Sequence, residues 1–218
     1  MNFAEAHFIL PDKAVKNRIS LFLNKIKDCV SCQIIEKNLK KRIIPNEDTP
    51  LPPALETYIK DKKSDSVFIS QFHGTTEMKE NILIGRFISR KLGTKVYLLP
   101  RLDSNTAEQV SLRRKLLPSG VFKNKNPDFL LANQLFEAKS MSNVRLEGAN
   151  SEKIRRKIQE HIKRALTQAD NAIVEIPDII KRRDIHSAIK GYLASSKGEH
   201  TVIAIWHKKT LIYTNLST

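Results

Sequence analysis

Residues 129–131 and 135–138 are two short apolar runs separated only by Ala132, Asn133 and Gln134. A gap of that length between strand-like runs predicts a β-hairpin, because the chain has just enough residues to reverse and pair with itself. On both sides of this hairpin the spacing of apolar residues alternates between strand and helix. Upstream, residues 66–72 read as a short strand. Thr75 or Thr76 caps a helix that runs to Leu92 and stops at Gly93, and a strand at 96–99 ends at Pro100. Downstream, Ser151 caps a helix reaching about Ala169, with Ile154, Ile158, Ile162 and Leu166 as its buried stripe. A strand at 172–176, a helix at 178–194 and a terminal hairpin of 202–206 with 211–213 complete the order. This succession implies an α/β (α+β) fold with a mixed central sheet flanked by helices.

Two stretches stand outside that pattern. In residues 12–39 the apolar positions Val15, Ile19, Leu23, Ile26, Val30 and Ile34 recur at helical spacing, and the stretch PNEDTPLPP then places four prolines in nine residues. Proline lacks the amide donor and clashes with the preceding turn, so no helix continues through it. The chain therefore divides into a helical N-terminal segment, 1–60, ending in a Pro-rich linker, and a domain at 61–218. Cys29 and Cys32 lie in the first part with no second ligand pair at zinc spacing, and read as ordinary helix thiols. The second stretch, 101–126, is polar and basic, with a helical turn near 108–116. It reads as a mobile, phosphate-facing connection carrying Arg113, Arg114, Lys115, Lys123 and Lys125.

Charge narrows the class of partner. Lys and Arg number 38 against 23 Asp and Glu, a formal net charge of +15 over 218 residues. Such an excess points to a polyanion. No run approaches the roughly 20 apolar residues of a spanning helix, so membrane insertion is not expected. Nor does the N-terminus carry a secretory pattern, which implies action in the cytoplasm or carriage by something else.

The hairpin also carries chemistry. In NPDFLLANQLFEAKS, Asp128 enters the first strand, and Glu137 and Lys139 lie two apart on the second. Side chains alternate along a strand, so Glu137 and Lys139 share a face about 6 to 7 Å apart, and pairing can bring Asp128 across from them. Two carboxylates offer hard oxygen ligands to Mg²⁺ or Mn²⁺, which also accept phosphate oxygens. The metal polarises a phosphodiester and acidifies a water, while a neighbouring lysine orients that water or stabilises developing charge.

With Asp128, Glu137 and Lys139 in place, the chain resembles the PD-(D/E)xK nuclease superfamily. The likeness spans about 72–218. The helix in EMKENILIGRFISRKLGTKVYLLP, the hairpin, and the basic helix ending in QADNAIVEI are similar to the C-terminal nuclease domains of contact-dependent growth-inhibition and related polymorphic bacterial toxins. That resemblance implies a restriction-endonuclease-like fold, cleavage of tRNA or DNA with a divalent metal, and a cognate immunity protein as partner. It also implies delivery into a target cell as part of a larger secreted protein. A further acidic ligand is expected from the first helix, where Glu77 and Glu80 share a face; Glu80 is preferred as metal ligand, and Glu77 is kept beside it. Gln168, at the end of the basic helix, is expected to reach the site. Lys153, Arg155, Arg156, Lys157, Lys163 and Arg164 would follow the phosphate backbone, with Arg113 and Lys115 from the connection. His73, His161, His186 and His207 lack ligand spacing and read as surface or packing residues. The competing reading is a non-catalytic nucleic-acid-binding or mobile-element structural protein that keeps a nuclease fold. It predicts salt-sensitive binding without cleavage.

Overall fold

In a computed structural model of the protein, residues 52–146, 148–196, 200–206 and the backbone of 210–214 are described. The helical pattern at 12–39, the cysteine pair and His207 lie outside the described residues.

Ala132 and Asn133 turn the central hairpin with φ of 45° and 61°, both left-handed. Consecutive positive φ values mark the two-residue turn whose twist matches that of paired strands. Asparagine tolerates this conformation, whereas alanine is strained there by about 1–2 kcal/mol. Because the turn takes only two residues, Gln134 opens the second strand. The strands β4 (Phe129–Leu131) and β5 (Gln134–Ser140) then pair Phe129 with Phe136 and Leu131 with Gln134. That register sets Asp128 opposite Glu137.

Six more strands extend this hairpin into one mixed sheet of eight among the described residues, ordered β1 to β8 along the chain. They are β1 (Tyr58–Lys60), β2 (Val67–Ser70), β3 (Val96–Leu98), β6 (Asn171–Ile176), β7 (Val202–Trp206) and β8 (Thr210–Thr214). Three parallel pairs, β2 with β3, β5 with β6 and β6 with β7, are each joined through a helix. These crossovers are α1 (Met78–Leu92), α3 (Ser151–Leu166) and α4 (Arg182–Ser195). A fourth helix, α2 (Ala107–Leu116), lies in the long connection from β3 to β4.

Strand alternation sorts the core into two layers. Val96, Leu98, Phe129, Leu131, Phe136 and Ile173 face Ile84, Phe87, Ile88 and Leu92 of α1. Their neighbours Ala172, Val174, Val202 and Ala204 face Ile158, Ile162, Ile185 and Ile189 of α3 and α4. A smaller cluster of Tyr97, Leu99, Leu130, Leu135 and Leu117 continues the second face. Each fully buried aliphatic side chain contributes on the order of 2 kcal/mol. Glu137 and Lys139 share parity with Leu135, so they belong to the second face. Phe136 and Ala138 point toward α1, as the alternation predicts.

Several expectations need correction. β1 pairs with β2 through Tyr58↔Ser70 and Ile59↔Ile69, so the sheet begins before residue 61. Glu77, not Thr75 or Thr76, is the N-cap of α1, and it makes no side-chain cap. The threonines fall in the preceding turn, where Thr75 O accepts from the Met78 amide at 3.4 Å. Asn150, rather than Ser151, caps α3 by accepting from the Lys153 amide at 2.9 Å. The last crossover helix starts at Arg182, after a turn at 178–180. In the basic connection the expected single turn is a ten-residue helix with a complete capping box between Thr106 and Gln109.

Candidate active site

Asp128 stands where β3 ends and β4 begins, and its main-chain oxygen accepts from the Leu99 amide at 2.9 Å. The residue is buried, 5% exposed. Oδ2 accepts from the Ala138 amide at 2.9 Å and Oδ1 from Asn81 Nδ2 at 3.1 Å. Burial drives its pKa upward; the Ala138 amide, Lys139 and Asn81 pull it back, while the charge of Glu77 adds to the rise. Across the hairpin, Glu137 is 1% exposed. Its Oε1 accepts from Lys139 Nζ. Its Oε2 is buried without a hydrogen-bond partner. Burial, then the neighbouring Asp128 charge, pushes Glu137 up to about 7, against the pull of Lys139. Two facing carboxylates whose proton affinity is raised by burial, and in Glu137 also by the Asp128 charge, form a site short of positive charge.

The structure thus brings Asp128, Glu137 and Lys139 together as the hairpin predicted. The two helix acids differ in their surroundings. Glu77 is the one whose charge acts on both Asp128 and Glu137. Glu77 lies one helical turn before Asn81, on the side of α1 that meets Asp128. It is ion-paired with Arg101 Nη1 at 2.9 Å. The preferred ligand, Glu80, is exposed and lines a different cleft beside Arg86, Phe87, Arg90 and Glu175. A helical step of three residues turns its side chain some 60° from the Glu77 direction.

Asn81, His73 and Arg101 were not among the expected site residues. His73 is buried, and its Nδ1 donates to the Leu99 carbonyl at 2.7 Å, since a carbonyl can only accept. That leaves Nε2 to accept from Asn81 Nδ2 at 3.4 Å. Asn81 therefore divides its donors between His73 and Asp128, and His73 is a buried packing residue next to the site rather than a surface one. Arg101 packs over Gly74, where an added Cβ would come within 2.9 Å of its Cδ. Position Asn81, four after Glu77, was the available clue in the sequence.

The basic residues separate by environment. Arg113 is 9% exposed and gives its guanidinium to Leu102 O at 2.6 Å, Asn126 Oδ1 at 2.5 Å and Lys125 O. It fastens the connection ahead of Asp128, so the expected phosphate contact is corrected to an anchoring one. Lys115, Lys153 and Lys163 are exposed. Arg156 pairs with Glu152 at 2.5 Å and half-buried Lys157 with Glu160 at 2.8 Å. Surface pairs of this kind contribute about 0.3–0.5 kcal/mol and exchange readily for a phosphate. Gln168 is half-buried in the turn after α3 and makes no side-chain bond to the three hairpin residues. His161 Nδ1 donates to the Lys157 carbonyl at 2.8 Å, a helix contact.

Whether the residues suit a divalent cation turns on their oxygens. No group of three or more His, Cys, Asp or Glu among the described residues forms a cage. Mg²⁺, however, is typically held by one or two carboxylates, with water and phosphate oxygens filling the remainder. Glu137 Oε2, buried and unbonded beside Asp128, is a donor atom of the kind that such an ion takes up. No family model, curated protein or solved structure matches the chain.

Proposed function

We propose that the protein is a divalent-metal-dependent endonuclease that hydrolyses phosphodiester bonds, with Asp128, Glu137 and Lys139 as its catalytic centre. The observation that carries this reading is the pairing of Asp128 against Glu137, both buried, with Lys139 tied to Glu137 on the same face. Burying two carboxylates together costs free energy that the Ala138 amide, Asn81 and Lys139 offset only in part, because Glu137 Oε2 is left without a partner. Such an arrangement makes chemical sense where a cation completes it. Mg²⁺ or Mn²⁺ held by Asp128 and Glu137 supplies Lewis-acid polarisation of the scissile phosphate. Asn81 and the Ala138 amide hold Asp128 in orientation. Lys139 places an ammonium where charge develops on the phosphoryl oxygens. Glu77 adds negative charge at the mouth of the site, tethered by Arg101.

The net charge of +15 and the exposed Lys115, Lys153 and Lys163 suit a nucleic-acid partner. Among the described residues, no helix is long and apolar enough to cross a membrane. The resemblance to polymorphic-toxin nucleases makes tRNA the first substrate to try, DNA the second, and an acidic immunity protein the expected regulator. The purified protein with Mg²⁺ or Mn²⁺ is expected to cut tRNA or plasmid DNA. Asp128→Ala and Lys139→Ala should each lower the rate by about 100-fold or more while the circular-dichroism spectrum stays unchanged. Full activity in both variants would remove the site; salt-sensitive binding without cleavage would favour a non-catalytic binding module.

A further inference from the structure

A cleft of about 520 Å³ opens beside α2, between that helix and the loop at 117–124. That volume falls within the range of small-molecule sites. Leu117 forms its buried floor. Its rim carries Arg114 and Lys123, both exposed, and Phe122, which is 37% exposed. No Asp or Glu lines it. Gly120 and Asn124 bracket Phe122 and Lys123 with φ of 92° and 60°, so two left-handed turns hold that dipeptide on the rim. The cleft is also coupled to the hairpin. Arg113, in its wall, bonds Lys125 O and Asn126 Oδ1, on the segment that runs directly into Asp128.

An aromatic face and two cations around one cleft make up the chemistry that receives a nucleotide. Bases stack on aromatic rings irrespective of sequence, and Lys or Arg neutralises the adjoining phosphates. A base inside a continuous duplex has both faces covered by its neighbours and cannot stack in this way. We infer that the cleft beside α2 holds an unpaired nucleotide of the substrate, its base against Phe122 and its phosphates against Arg114 and Lys123. The protein would then prefer single-stranded or looped nucleic acid to continuous duplex. This rests on the nucleic-acid reading above and extends it to the class of substrate.

The test is binding in EDTA, where no metal-dependent cleavage intervenes. Fluorescence anisotropy is followed with a short labelled oligonucleotide as single-stranded DNA, as single-stranded RNA, and as the matching DNA duplex. Phe122→Ala should weaken single-strand affinity about tenfold and duplex affinity less than about twofold. Phe122→Tyr should restore single-strand affinity, because the ring is retained. Arg114→Ala combined with Lys123→Ala should flatten the dependence of log affinity on log salt for the single strand by about 1.4. The DNA and RNA arms separate a base-and-phosphate site from one that also requires the 2′-hydroxyl. Equal losses on single strand and duplex, or no loss, would overturn the inference while leaving the nuclease reading standing. Failure of the unmodified protein to bind any of the three would overturn both.

Discussion

Asn81 Nδ2 donates to Asp128 Oδ1 at 3.1 Å, joining α1 to the hairpin across 47 positions of sequence. With the Ala138 amide on Oδ2, this bond satisfies both oxygens of a carboxylate that burial otherwise drives toward its neutral form. Asn81→Leu removes the donor and leaves Oδ1 buried without it. We expect a loss of about 1–3 kcal/mol in stability, together with a rate of cleavage reduced roughly tenfold, since Asp128 is no longer held in orientation. Chemical denaturation and single-turnover cleavage measure the two. A variant unchanged in both would take Asn81 out of the site.

Glu77 and Glu80 should behave differently although they are three residues apart. Glu77 acts on the charges of Asp128 and Glu137, whereas Glu80 lines another cleft. Glu77→Gln is expected to raise the Mg²⁺ concentration needed for half-maximal cleavage about tenfold, with Glu80→Gln unchanged. The reverse ranking would return Glu80 to the site.

Glu137 gives the metal-free protein a pH signature. Its pKa in the folded protein is pushed up to about 7, above the ordinary value of 4.5. Between those two values the folded state binds the extra proton, so stability falls as pH rises through this window. The decline should amount to a few kcal/mol, on the order of the shift multiplied by 1.4 kcal/mol per unit. In EDTA, Tm should therefore be lower at about pH 8 than at about pH 5, and Glu137→Gln should flatten the difference. Added Mg²⁺ should raise Tm mainly at the higher pH, because the ion competes with the proton for the same oxygens. A metal-free Tm that rises over this range, with the slope kept in Glu137→Gln, would contradict the assignment.

Arg86 clasps Asp61 at both oxygens, at 2.7 and 2.5 Å, and ties the turn after β1 to the middle of α1. Arg86 holds the Asp61 carboxyl below its ordinary value. The stabilisation is thus present above the ordinary carboxylate range and lost as pH falls through the depressed pKa. Asp61 is nearly buried but Arg86 is 28% exposed, so Arg86→Ala should lower stability, by less than the loss of a fully buried pair would. The loss should appear in urea unfolding at neutral pH and shrink in strong acid. Cleavage per folded molecule should be unchanged, as the pair lies outside the site.

The boundary between local pattern and tertiary contact runs through the site itself. The sequence by itself determined the hairpin, the shared face of Glu137 and Lys139, and the helices around them. Each depends on a period of two or of 3.6 residues, which is written into neighbouring positions. The approach of Asp128 to the strand of Glu137 and Lys139 was legible, because a short turn pairs the two runs. The register came from a turn of two residues, Ala132 and Asn133, where the apolar pattern implies three. Only the tertiary structure showed that the charge of Glu77 reaches that pair, that Asn81 and His73 support Asp128, and that Arg113 is an anchor. These outcomes depend on how α1 docks against one sheet face and how the chain at 101–126 folds back on itself. Both docking angle and loop path arise from packing among distant residues, and a charge count cannot tell a guanidinium facing solvent from one spent on three carbonyl and amide oxygens.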